Sequence, residues 1–138
     1  MMLPPETFRV RSSRRSRLYF VVHVAPTPAA MRGVMRRHAG GCHPRQLACV
    51  MGASSKMMPG LVGLIFFTQS CLGVGIVAHE MAHAAFRYCE RRGLRVTYWQ
   101  KSHSRHVGQS EEVFCAIVEH LNRDFWNRAY RAGICKPT

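Results

Sequence analysis

The sequence predicts a single α+β domain in which a small β-sheet lies on one side of two packed helices. Three short apolar runs, 18–25 (LYFVVHVA), 46–52 (QLACVMG) and 61–68 (LVGLIFFT), are rich in β-branched and aromatic residues and read as strands. Residues 72–92 and 110–131 read as helices, each stopped by a glycine, Gly93 and Gly133. A chain of 138 residues suffices for one modest core and not for two.

Residues 1–17 are rich in Pro and Arg without periodicity, so they are expected to form a flexible basic arm ahead of one domain over 18–138. The first strand follows. A basic segment, an apolar run and Ala29-Ala30 share features with a secretory signal, and Ser13-Arg14-Arg15 with a twin-arginine start. The run is short and carries His23, which weighs against secretion. Thr27 then caps a helix with Pro28 at its first position, and Gly40-Gly41 ends it. Its last basic residues, Arg36, Arg37 and His38, suit the helix dipole without any ligand.

After the second strand, Ser54, Ser55 and Lys56 turn the chain into the third, which is expected to be largely buried. Residues 61–78 carry no charge and just reach the length of a membrane span. Thr68-Gln69-Ser70 and the glycines at 63, 73 and 75 favour a buried strand running into the apolar start of a helix, so no membrane span is predicted. Residues 95–99 (RVTYW) suit a short strand or extended loop, and 101–108 a polar loop holding His103 and His106. Ser110 is expected to cap the last helix, with Glu111 and Glu112 in its first turn and Val113, Phe114, Ile117, Leu121, Phe125 and Trp126 on its apolar face.

The charge is unusual: 20 Lys and Arg against 7 Asp and Glu give +13. Half of the basic residues lie in the first 60 positions, where Glu6 is the sole acid. Such an excess favours anionic partners, and nucleic acid bound through the basic arm is one expectation; a solvated basic surface is the plainer one. The six cysteines include no C-x-x-C pair, and Cys71, Cys89 and Cys115 fall in apolar periodic segments. Buried free thiols in a reducing compartment explain them more simply than a disulfide framework.

The chemistry concentrates in His79-Glu80-Met81-Ala82-His83. On a helix, histidines four apart share one face, and two neutral imidazoles held there can ligate one Zn²⁺. Glu80 then sits beside the metal as a base for water that the metal acidifies. Two histidines and a glutamate on a solvated helix face are the bland alternative. The apolar flanks, Ile76-Val77-Ala78 and Ala84-Ala85-Phe86, favour a packed metal helix instead. A catalytic zinc usually takes three protein ligands. The third is open at this level: Glu111, Glu112 and Glu119 on the last helix, or His103 and His106 in the loop.

Residues 76–85 (IVAHEMAHAA), followed after a loop by 111–116 (EEVFCA), resemble minimal metallopeptidases of the gluzincin type. They are most similar to small ones encoded by bacteriophages and prophages, and more distantly to IrrE-like proteins. The resemblance spans about residues 60–132, and only its H-E-x-x-H part is specific. It implies a zincin-like domain with His79, His83 and Glu112 as zinc ligands and Glu80 as general base. Cys115 stands in a position usually held by alanine, which puts a thiol near the metal. The implied activity is hydrolysis of a peptide or protein substrate in the cytoplasm, that of a host if the chain is phage-encoded. Residues 61–68 would be the strand beside the cleft, offering backbone groups to an extended substrate. Two other classes stay in view: a basic DNA-associated protein, as in the SprT-like proteases that act on nucleic acid, and a silent zincin with a structural role.

Overall fold

Every residue of the uncharged run Leu61–Thr68 but Leu64 is buried, because this run is the central strand of the sheet. The computed structural model describes residues 6–39, 47–53, 58–94 and 105–135, with side chains at all of these except 39 and 105–110. Their elements are β1 (Glu6–Val10), β2 (Tyr19–Ala25), α1 (Pro28–Ala39), β3 (Ala48–Gly52), β4 (Leu61–Thr68), a 3₁₀ turn (Gln69–Cys71), α2 (Val74–Arg91) and α3 (Arg105–Arg131). The sheet order is β1-β2-β4-β3. β2 runs parallel to β4, while β1 on β2 and β3 on β4 are antiparallel. The α+β class is as expected.

Alternation along β4 divides the core in two. Phe66 points to one face, among Met31, Val34 and Met35 of α1. Phe67 points to the other, where its ring lies 5.0 Å from that of Phe125 on α3. The larger cluster joins this second face to Val77, Met81, Ala84 and Ala85 of α2 and to Phe114, Ile117 and Leu121 of α3. The domain thus has α1 on one side of the sheet and the α2–α3 pair on the other. Close approach of strands fixes one position: a Cβ on Gly63 would collide with the Met51 carbonyl oxygen of β3.

The helix ends follow the local signals. The Ala30 amide donates to Thr27 Oγ1 at 3.2 Å, capping α1 ahead of the Pro28 turn. Gly93 (φ 70°) lets the chain leave α2, with the Leu94 amide donating to the Cys89 carbonyl at 2.8 Å. Gly133 (φ 73°) does the same for α3 through Ile134 and Ala129 at 3.0 Å. α2 and α3 are antiparallel. Phe86 meets Phe114 at 4.8 Å at one end, and Gln69, ahead of α2, donates to the Ile134 carbonyl, beyond α3, at 3.0 Å.

Three expectations are corrected. The flexible arm over 1–17 is an edge strand from Glu6 to Val10: Phe8 and Val10 turn inward, with Phe8 5.7 Å from Phe125, while Arg9 stacks over the Tyr19 ring at 4.4 Å. The last helix begins at Arg105, so Ser110 lies inside it and is not its cap. Gly108 does not prevent this, since one interior glycine costs only about 1 kcal/mol. β4 cannot offer backbone groups to a substrate, because β2 and β3 take both of its edges; the edge strand on that side is β3. The strand or loop expected at 95–99, and His103, lie outside the described residues. Among the described residues no helix is long and apolar enough to cross a membrane, and Cys49, Cys71, Cys89, Cys115 and Cys135 are free thiols.

Candidate metal centre

At 100° per residue, the buried side chains of α2 centre on Met81, and His79 and His83 each lie about 160° around the helix from it. Both histidines are exposed, on the side of α2 that faces away from the core. Their Nε2 atoms are 3.2 Å apart, and the rings meet edge to face with centroids 4.8 Å apart. Two nitrogens on one tetrahedral Zn²⁺, each at about 2.0–2.1 Å, would be about 3.3 Å apart. The pair therefore has the bite of a two-imidazole zinc chelate. The same spacing also lets one neutral ring donate a hydrogen bond to the other.

Glu80, next to His79, is only 7% exposed. Burial pushes its carboxyl above the ordinary carboxylate range, against the pull of His83 and His79. Its direction is set by a stripe of α2: Arg87 and Arg91, seven and eleven residues on, lie within about 20° of it around the axis. Arg91 donates from Nη2 to the Ala53 carbonyl at 2.7 Å, and the Arg87 guanidinium lies against Gly52. The Glu80 side of α2 thus faces β3, whose other edge pairs with no strand among the described residues. The i, i+7, i+11 spacing of Glu80, Arg87 and Arg91 is visible in the sequence and was the available signal for these two arginines.

The structure brings His79, His83 and Glu80 together. Among the described residues, no group of three His, Cys, Asp or Glu side chains is placed to hold a metal, so Glu112 does not join the histidine pair. Glu111, Glu112 and Glu119 are all exposed on α3. Glu119 accepts from Arg123 Nη2 at 2.6 Å, whereas Glu112 forms no salt bridge among the described residues. Cys115, one turn on from Glu112, is exposed. The backbone of His106 belongs to α3, but its side chain lies outside the described residues, as does Tyr98. Tyr130 is exposed near the far end of α3, 6.1 Å from Trp126 ring to ring.

No protein-family model, curated protein or solved structure matches this chain.

Proposed function

We propose that this protein is a zinc-dependent peptidase of the gluzincin type, with His79 and His83 as metal ligands, Glu80 as the general base, and Glu112 of the adjoining α3, which stands apart from the pair in this structure, drawn in as the third ligand when zinc binds. The observation that carries the reading is the 3.2 Å separation of the two Nε2 atoms, the span of a two-imidazole zinc chelate. Zinc held here would supply Lewis acidity to water and to a peptide carbonyl. The protein supplies the rest. Glu80 lies on the side of α2 that faces β3, next in sequence to His79, and its carboxylate would take the proton of an attacking water and hand it to the leaving amine. The outer edge of β3, which pairs with no strand among the described residues, offers N–H and C=O groups to an extended peptide, which would lie beside Glu80. The compartment of this reading is the cytoplasm.

Metal analysis of purified protein tests it. The parent should carry close to one zinc per chain, and His79→Ala/His83→Ala should carry none. Glu80→Gln should keep the metal and lose nearly all hydrolysis of unfolded casein, which also separates an active enzyme from a silent zincin. Full zinc retention in the double histidine variant would remove the proposal.

A further inference from the structure

A cleft of about 600 Å³ opens where the β1–β2 connection meets the last turns of α3, and neither histidine of the α2 pair lines it. Five arginines line it, Arg11, Arg14, Arg123, Arg128 and Arg131, beside the His120 ring. The one carboxylate in the lining, Asp124, is already engaged. It accepts from the Arg11 amide at 2.8 Å and from Arg128 Nε at 3.2 Å, which ties the connection to the helix and holds the two basic segments face to face. Arg11 Nε is buried with no hydrogen-bond partner among the described residues, and the guanidinium carbon lies 5.7 Å from the centre of the Tyr19 ring. Ser12, Ser13 and Asn127 supply neutral donors.

We infer that this cleft binds the phosphate backbone of nucleic acid without reading its sequence. His120, Arg123, Asn127 and Arg131 follow one stripe of α3 about 17 Å long, which a nucleic acid strand rising 3.4 Å per residue would pass with about five phosphates. Guanidinium forks suit phosphate oxygens. Among the described residues no Phe, Tyr or Trp lines the cleft, so they offer no platform for base stacking, and contacts fall on the backbone. A concave groove also fits a rod better than it fits the plane of a bilayer, and the exposed large apolar side chains, Leu47, Met58, Val74, Leu94, Val113 and Tyr130, lie outside the lining. The site differs from a mobile arm: Arg11 and Arg14 act from a connection anchored to Asp124. It is independent of the zinc reading.

The test is fluorescence anisotropy with a labelled 30-base-pair duplex and its single strand, using the full chain between about 50 and 200 mM salt. The parent should bind, with affinity falling linearly in log–log form as salt rises. Arg14→Glu/Arg131→Glu should bind at least about tenfold more weakly, with a salt slope smaller by about two, the loss of two phosphate contacts. Arg36→Glu/Arg37→Glu, on the last turn of α1, makes the same change in net charge outside the cleft and should bind within about twofold of the parent. Circular dichroism should show all three folded; if Arg14→Glu/Arg131→Glu is not, Arg14→Ala/Arg131→Ala against Arg36→Ala/Arg37→Ala carries the comparison at matched charge. Equal weakening by the α1 variant would mean that bulk charge does the binding, and would overturn the site. So would absence of binding, preference for phosphatidylserine vesicles, or full competition by polyglutamate at matched charge.

Discussion

Arg91 reaches from the last turn of α2 to the Ala53 carbonyl at 2.7 Å, at the end of β3. The same guanidinium donates to the Leu61 carbonyl at 3.0 Å and to that of Pro59 at 3.3 Å. One cation thereby joins the helix of the histidine pair to the chain on both sides of the β3–β4 connection. Arg91→Met keeps much of the stem and removes every donor. Hydrogen bonds to a charged group each contribute about 1.5–3 kcal/mol, so a loss of about 2 kcal/mol is expected in urea unfolding. A change below about 0.5 kcal/mol would show that water replaces these contacts at no cost.

Gly63 is a second structural test. Any side chain there meets the Met51 carbonyl oxygen, and backbone cannot swing away as a flexible side chain can. Gly63→Ala should lower stability by about 1–3 kcal/mol, the range for overpacking. A thermal unfolding midpoint equal to the parent's would mean that β3 and β4 separate more freely than their pairing indicates.

His23 on β2 makes stability depend on pH. It stacks on Phe66 at 5.2 Å, lies 5.0 Å from the His38 ring of α1, and has Thr7 Oγ1 of β1 3.4 Å from its Nδ1. Burial, and then the charge of His38, hold its pKa below the ordinary imidazole value. The folded state therefore favours the neutral ring. This contribution is complete above the unfolded value of about 6.5 and is lost as pH falls from there through the folded pKa. His23→Phe should lose less stability than the parent between pH 7.5 and pH 5. Parallel losses in the two proteins would exclude His23 as the source.

For the third ligand, zinc content of Glu111→Ala, Glu112→Ala and Glu119→Ala decides. Glu119 is held by Arg123 at 2.6 Å, while Glu112 has no such partner among the described residues and has Cys115 and Ala116 one turn on. Loss of zinc in Glu112→Ala alone is the expected outcome. Loss in Glu119→Ala alone would move the ligand one stretch along α3, and full retention in all three would move it off the glutamates of that helix.

Local signals in the sequence were enough for much of this. An uncharged apolar run marked β4 to the residue, Thr27-Pro28 marked the start of α1, and Gly93 and Gly133 marked two helix ends. The histidine pair was legible for the same reason, since i and i+4 converge on any helix. What failed depends on contacts between distant segments. β1 hid because the arginines in and beside it read as a solvated arm, and only the fold shows Arg9 and, just past the strand, Arg11 against the Tyr19 ring at 4.4 and 5.7 Å. The place of β4 in the interior of the sheet, and not beside a cleft, is a matter of strand order, which no local pattern encodes. The third ligand was undecidable for a like reason: a carboxylate on α3 reaches the histidines or misses them according to how two helices pack.

Phe66 and Phe67 are adjacent in the chain yet belong to separate apolar clusters, and the cluster under α1 is much the smaller. The two halves of the molecule are therefore expected to open at different free energies. In native-state hydrogen exchange, the amides of α1 should exchange through a partial opening that leaves β4, α2 and α3 protected. The helix that carries the histidine pair would then belong to the slowest-exchanging unit, and its geometry would outlast the loss of one whole layer.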